Sequence, residues 1–162
     1  MNTIQYLNQE KIMQQQDNIQ FRLEKINTEQ FALIEEEYNK NNEIKVGVNF
    51  KFAVNHEKQM LAVFSEFNYE SAGSTFIKLA VSCHFKIPES NWVNFLKEET
   101  IVVPQGLLRH LSVITVGTAR GVLHEKTVGT RFNNFILPFI DLTKVITQDM
   151  TFKVNGDQSN KD

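Results

Sequence analysis

The segment Ile-Lys-Val-Gly-Val-Asn-Phe-Lys-Phe-Ala-Val, residues 44–54, decides the fold class. Its apolar residues occupy every second position, from Ile44 to Val54, and the positions between them hold lysine, glycine, asparagine and alanine. Successive side chains of a β-strand point to opposite faces, so this period of two predicts a strand with one buried face and one wet face. One-sided strands of this kind are typical of antiparallel sheets.

Three further segments of alternating character surround this strand, at residues 19–33, 61–69 and 77–87. Polar turns at residues 55–58 and 71–74 separate the last three strands and predict hairpins between them. The four strands are therefore expected to form an antiparallel meander.

The second half of the sequence changes to a helical period. Pro104 is a typical first-turn residue, and apolar positions then recur at steps of three and four until about Lys126. Gly117 and Gly121 lie on one face of this helix, which indicates the close approach of another backbone. Asp141 is positioned to cap a final short helix. The predicted fold class is α+β: a four-stranded antiparallel meander sheet packed by a long helix and a short C-terminal helix.

Composition narrows the class of protein further. The chain has 162 residues, 41% of them hydrophobic, which suits one domain with a real core. The net charge of −2 gives no bulk basicity for nucleic-acid binding, and no apolar run is long enough for membrane insertion. The single cysteine, Cys83, suits a reducing cytoplasm. We expect a polar N-terminal arm at 1–18, a domain at 19–146 and a polar C-terminal tail at 147–162.

The motifs of common active sites are missing from the sequence. No histidine has a second histidine or cysteine at metal-ligand spacing, and the two central glycines lie inside a helix rather than in a phosphate-binding loop. No serine or cysteine lies in a recognisable nucleophile motif. We therefore expect no enzyme activity, no metal and no cofactor.

Phenylalanine is over-represented, with 13 of the 17 aromatic residues. Phe50, Phe52, Phe67 and Phe85 lie on alternating strand faces that a helix would bury. Another set of apolar residues falls outside these stripes and is a candidate for contact with a partner: Phe64, Phe76, Trp92, Phe95, Leu96, Phe132 and Phe135. The alternative interpretation is that the same residues fill a core or an interface between subunits.

The order of elements resembles the SecB family of protein-export chaperones from about Ile19 to Ile146. The stretch Ile26 to Leu33 resembles the family's first strand, and the strands that begin near Ile44, Leu61 and Ile77 match the next three in order and spacing. The remaining similarities are Thr118-Ala119-Arg120-Gly121-Val122-Leu123 in the long helix, Gly129-Thr130-Arg131-Phe132 in the turn after it, with Arg131 inserted, and Leu137-Pro138 before the last helix.

The resemblance implies a function as well as a fold. Family members hold unfolded polypeptides without ATP in apolar grooves of a homotetramer, a dimer of dimers that forms through the sheet and the long helix. It therefore implies client binding by the partner-contact set above, an oligomer interface that includes Val113, Gly117 and Gly121, and a role in the cytoplasm, with protein export as one possibility. Related proteins are chaperones for antitoxins.

One departure bears on the partner. The family's export members carry an acidic sheet face that docks the translocase motor, whereas Lys45, Gly47, Asn49 and Lys51 make this face basic to neutral. Docking to the motor is therefore doubtful. Two alternatives stay open: a dedicated adaptor for one partner such as an antitoxin, and a small-ligand-binding or enzymatic domain with a closed pocket at His84 or Glu66.

Overall fold

The computed structural model describes residues 19–154, so the predicted arm at residues 1–18 and the last eight residues of the predicted tail lie outside the described residues. A four-stranded antiparallel sheet is built from β1 (Arg22–Leu33), β2 (Ile44–Asn55), β3 (Met60–Ser71) and β4 (Ser74–Lys86). The long helix α2 (Gln105–Thr127) packs across one face of this sheet. The α+β class predicted from the sequence is confirmed.

The strand order is β1-β4-β3-β2, which differs from a simple four-stranded meander. The hairpins β2–β3 and β3–β4 form as predicted, but β1 pairs with β4 instead of β2. The connection at residues 34–43 carries the chain from one edge of the sheet to the other, which gives a Greek-key arrangement. The predicted meander was therefore wrong for β1, because alternation reports which face of a strand is buried and carries no information about its neighbour.

Helix α2 matches its predicted span closely and is preceded by Pro104. Its inward face buries leucine and small residues at helical spacing, including Leu107, Leu111 and Ala119. After it, α3 (Leu142–Val145) is capped at its N-terminus by Asp141. The Asp141 carboxylate accepts a hydrogen bond from the Thr143 amide at 3.1 Å. The predicted cap is therefore confirmed.

A second, three-stranded sheet was not predicted. It consists of β5 (Leu96–Lys97), β6 (Thr100–Val103) and β7 (Met150–Lys153) in antiparallel order, and a single-turn helix α1 (Glu89–Trp92) precedes it. Because β7 lies inside residues 147–162, the predicted polar tail began too early. Strands of two to four residues are too short to show a period, which explains why sequence patterning missed them.

The buried residues form two hydrophobic clusters along α2. The Trp92 cluster lies at the first half of the helix and is centred on Phe85, Trp92, Phe95 and Leu108. The Phe132 cluster lies at the second half and is centred on Phe67, Phe76, Leu123 and Phe132. Within residues 19–154, no helix is long and apolar enough to cross a membrane.

Candidate functional site

Five aromatic rings meet at the outer end of the Phe132 cluster. Phe135 is central to the group, with ring centroids 5.1 Å from Phe76, 5.6 Å from Tyr38 and 5.7 Å from Tyr69. These three pairs meet edge to face, an arrangement that aromatic rings prefer. Phe76, Phe132 and Tyr69 are buried, whereas Tyr38 and Phe135 are only half-buried and form the rim of the group.

The rings come from three parts of the chain. Tyr69 and Phe76 flank the β3–β4 hairpin, where a register shift after Tyr69 breaks the alternation and leaves both Phe76 and Ile77 buried. Phe132 and Phe135 belong to or follow a 3-10 turn at Arg131–Asn134, whose cap Thr130 accepts a hydrogen bond from the Phe132 amide at 3.1 Å.

Gly129 makes the turn into this segment possible. Its φ of 78° lies in the left-handed region, which costs glycine little and other residues much more. The chain can therefore leave α2 and return along the sheet, which places Phe132 under the helix end. Tyr38 reaches the same rings from the connection between β1 and β2.

Two arginines fix the borders of the aromatic group. Arg120, on α2, donates hydrogen bonds from Nε to the Leu137 carbonyl at 3.2 Å and from Nη2 to the Pro138 carbonyl at 3.0 Å. Arg131 lies over the rings of Tyr38 and Phe132, at 5.4 and 4.9 Å from their centroids. The contacts of Arg120 hold the extended segment at residues 135–140, and those of Arg131 hold the β1–β2 connection.

Large apolar side chains lie exposed next to the aromatic group. Ile136 is 72% exposed and Phe139 is 88% exposed, and both belong to the extended segment that Arg120 holds. Ile34, directly after the end of β1, and Val128, directly after the end of α2, are also exposed. Single exposed apolar residues are ordinary, but Ile136 directly follows the half-buried Phe135 and Phe139 belongs to the same segment, so together they offer a surface on which apolar side chains can be buried.

The centre of the group carries no charge at physiological pH. Burial raises the pKa of Tyr69 to about 12, although the positive charge of Arg120 acts in the opposite direction. The Tyr69 hydroxyl is buried and has no hydrogen-bond partner among the described residues. The site is thus a neutral group of aromatic rings with arginine guanidinium groups at its border, an arrangement suited to contact with apolar side chains.

The structure brings together three of the seven residues predicted to bind clients: Phe76, Phe132 and Phe135. Of these, only Phe135 keeps exposed surface, because Phe76 and Phe132 are fully buried in the Phe132 cluster. Both are therefore core residues in this subunit, which corrects the expectation that they line an open groove.

The other four predicted residues lie elsewhere. Trp92 and Phe95 are buried in the Trp92 cluster, and Leu96 packs against it, so these three close a core instead of facing a partner. The Trp92 indole donates a hydrogen bond to Nδ1 of His56 at 3.1 Å, which satisfies its only polar atom. Phe64 is half-buried on the outer face of the sheet beside His84.

Residues that patterning missed complete the site: Tyr38, Arg120, Arg131, Ile136 and Phe139. Tyr38 lies between three glutamates and a run of polar residues, outside every apolar stripe. Ile136 and Phe139 flank Pro138 in a stretch without a period, so nothing in the sequence distinguishes an exposed apolar residue there from a buried one.

The predicted oligomer contacts lie on the outer face of α2. Val113 is 61% exposed, and Gly117 and Gly121 are exposed in line with it. Within 4 Å of the point where a Cβ would stand on either glycine there is no other part of the described chain. Among residues 19–154, therefore, no backbone makes the close approach expected from these glycines.

The outer face of the sheet carries a polar network. Ser82, on β4, donates a hydrogen bond across the β1–β4 pair to Glu29, and it is also hydrogen-bonded to Nε2 of His84 on its own strand. The bond from Ser82 lowers the pKa of Glu29, and burial lowers the pKa of His84. A groove of about 150 Å³ beside Phe64 is lined by Glu66 but not by His84, so these two residues do not converge on one pocket.

No protein-family model matches the sequence, and no curated protein matches it. Among solved structures, the chain is similar to the Mycobacterium tuberculosis SecB-like chaperone Rv1957 in complex with a ChAD peptide from the Rv1956 HigA1 antitoxin. The TM-score is 0.45 and the identity is 8%, and the alignment covers 74% of this chain and 90% of that chain.

Proposed function

We propose that the protein is an ATP-independent chaperone that holds unfolded polypeptide segments against the rim of the Phe132 cluster. The observation that carries this proposal is the exposure of Ile136 and Phe139 beside the half-buried rings of Tyr38 and Phe135. An extended segment fixed by Arg120 presents these side chains to solvent instead of folding them into the core. The order of elements along the sequence supports the same function.

Binding at such a surface needs no defined client sequence. Apolar side chains of an unfolded segment gain about 25 cal/mol for each Å² of apolar area they bury. The free edge of β2 offers a second, backbone-based contribution, because in the described chain β2 pairs with β3 alone. An extended client that adds a strand there forms hydrogen bonds that do not depend on its side chains.

The proposal includes a homo-oligomer, with a dimer of dimers as the expected state and the outer face of α2 as one interface. Exposed Val113 and the two glycines leave room for another helix or sheet to approach α2 closely. Val113→Asp places a charge in this contact. We expect the mass measured by light scattering to fall in this variant, and an unchanged mass would remove α2 from the interface.

Aggregation of a chemically denatured client tests the function directly. We expect equimolar protein to suppress light scattering during refolding of the client, with no effect of added ATP. The double variant Ile136→Ser, Phe139→Ser should lose at least about tenfold in apparent affinity, because each buried large apolar side chain contributes about 1.5–3 kcal/mol. Val93→Ser, at a half-exposed valine beside the Trp92 cluster, is the matched control.

A narrower function has one observation in its favour. Lys45 and Lys51 are exposed on the outer face of β2. In the export chaperones of the SecB family, which the sequence resembles, this face of the sheet is acidic. This difference favours a dedicated adaptor for a single partner, such as an antitoxin, over protein export. A pull-down separates the two, since an adaptor should recover one dominant protein and an export chaperone a broad range of precursors.

A further inference from the structure

We propose that Tyr38 occupies the aromatic site in the free subunit as an internal substitute for a client side chain, and that a client displaces it. The inference rests on the proposed function, because it concerns the same aromatic group. It explains why Phe76 and Phe132, which the sequence singled out for client contact, are fully buried although they lie directly beneath a half-exposed ring.

The Tyr38 ring contacts three of the other four rings at once. Its centroid lies 5.0 Å from Phe76, 5.3 Å from Phe132 and 5.6 Å from Phe135. Tyr38 itself remains half-exposed, so it separates Phe76 and Phe132 from solvent. Its departure would uncover an aromatic recess of the size and shape of one aromatic side chain.

The segment that carries Tyr38 is attached mainly at its two ends. At one end the Ile34 amide donates to the Phe76 carbonyl at 2.8 Å, and at the other the Asn39 amide donates to Oγ of Ser71 at 3.2 Å. The 3-10 turn between them, Glu35–Glu37, has no buried residue, and its backbone–backbone hydrogen bonds stay within the segment; the Glu35 carbonyl accepts one further hydrogen bond, from Nη2 of Arg131 at 3.4 Å. Short segments of this kind open at low free-energy cost.

Arg131 is the remaining restraint on the segment. Its guanidinium lies over the Tyr38 ring and within 3.8 Å of the Glu35 carboxylate. Both side chains of this ion pair are more than half exposed, at 58% and 57%, so solvent screens it strongly. Once Tyr38 leaves, the same guanidinium is placed to stack on an aromatic ring of a client.

Internal occupancy lowers the apparent affinity for a client by the fraction of subunits in which the site is open. If that fraction is at most about 10%, as is usual for a minor conformer, emptying the site should raise the affinity about tenfold or more. A tyrosine that merely lined the site would have the opposite effect, since its removal takes contact area away from the client. The sign of the change therefore decides the question.

The test uses the full chain and a fluorescein-labelled Gly-Ser peptide that carries two phenylalanines, the phenylalanine peptide. A second peptide with two leucines in their place is used for comparison. We expect Tyr38→Ala to bind the phenylalanine peptide about tenfold more tightly than the original chain, and Tyr38→Phe to bind it equally well. Arg22→Gln, at an exposed arginine paired with Glu24, is the control.

Hydrogen exchange gives a readout that does not depend on any substitution. Addition of the phenylalanine peptide should increase amide exchange at residues 35–39, because the segment is displaced, and a decrease there would overturn the inference. Weaker binding by a folded Tyr38→Ala variant would also overturn it. If the original chain still suppresses client aggregation in either case, the proposed function stands; if it neither suppresses aggregation nor binds the peptide, both proposals are lost.

Discussion

The two hydrophobic clusters share one helix and one sheet, yet they are covered in different ways. Hydrogen-bonded structure closes the Trp92 cluster: the small sheet β5–β7 and the single-turn helices α1 and α3. The Phe132 cluster is covered by an extended segment and by the β1–β2 connection, in which the backbone has few partners. The difference separates stability from function, since only the second cluster can expose aromatic surface without disrupting a sheet.

The polar atoms of the two clusters show the same contrast. The indole N–H of Trp92 is satisfied by His56, whereas the hydroxyl of Tyr69 is buried with no partner in the part of the chain that the structure describes. A satisfied polar group specifies one packing arrangement, and an unsatisfied one costs stability. The Phe132 cluster is therefore the less optimised of the two, as expected at a binding site.

Truncation of one phenylalanine at each end gives the largest test of this comparison. Phe95→Ala in the Trp92 cluster should lower the free energy of unfolding by about 3–5 kcal/mol, the usual cost of removing a buried ring. Phe139→Ala in the exposed segment should change it by less than about 0.5 kcal/mol while it weakens client binding. Denaturant unfolding followed by fluorescence of the single tryptophan measures both.

The opposite ranking would contradict the division of roles. If Phe139→Ala destabilised the subunit by several kcal/mol, the exposed segment would be part of the core. If Phe95→Ala left stability unchanged and reduced client binding, the Trp92 cluster would be the client site after all, as the sequence-based list implied for Trp92, Phe95 and Leu96.

The main strands and the long helix, which both clusters share, were predictable from the sequence, but the membership of each cluster was not. Period two located β2, β3 and β4, and the step of three and four located α2, because each of these elements has one buried face over ten or more residues. The cluster to which each phenylalanine belongs was not predictable. Phe76 required knowledge of a register shift in β3–β4, and Phe95 required the small sheet that covers it.

The candidate site was predicted even less well, again for a physical reason. Phe135 was identified because it lies outside every stripe, but Ile136 and Phe139 have no pattern that marks them as exposed. Arg120 and Arg131 act through backbone carbonyls and ring faces that only the folded chain brings near them. Long-range contacts of this kind leave no local trace in a sequence.

Glycines on α2 offer the next largest expected effect. In a dissociated subunit Gly117→Ala should stabilise the fold by about 1 kcal/mol, because alanine is the better helix former and no atom of the described residues lies within 4 Å of its Cβ, whereas in the proposed oligomer the added Cβ should lower stability. Gly129→Ala is the contrasting variant, since its positive φ makes any Cβ unfavourable and destabilisation is expected. Thermal unfolding measures both. A loss of stability in Gly117→Ala would show that the glycine is packed tightly in an assembly.

Removal of the unpaired hydroxyl tests the Phe132 cluster from inside. Tyr69→Phe should leave stability unchanged or raise it by up to about 1 kcal/mol, because no hydrogen bond is lost and a desolvated hydroxyl is removed. The tyrosine also makes stability depend on alkaline pH. Its pKa is raised to about 12 in the folded chain, so stability should fall as the pH rises above the ordinary value near 10.

The phenylalanine variant should lack this alkaline loss, and urea unfolding between pH 9 and 11 checks it. Tyr38→Phe is the matched control, because Tyr38 is half-exposed and stays in its ring contacts. If Tyr69→Phe were clearly destabilising, the hydroxyl would have a partner that a bound water or a second subunit supplies, and the Phe132 cluster would be better satisfied than the contrast with Trp92 implies.

The smallest expected effect concerns the sheet face behind the Trp92 cluster, where His84 lies between Cys83 and Phe85 on β4. Burial lowers the pKa of His84, with a further contribution from Lys25 and partial compensation by Glu29. A lowered pKa means that the unfolded chain binds the proton first. Stability should therefore be complete above about pH 6.5 and decline as the pH falls below that value.

His84→Gln keeps a polar side chain that cannot titrate, so urea midpoints of this variant should decline less between pH 7 and 5. Client binding at the opposite end of α2 should be the same in both chains. An equal decline in stability would assign the acid sensitivity to other groups, and a change in client binding would couple the outer face to the Phe132 cluster.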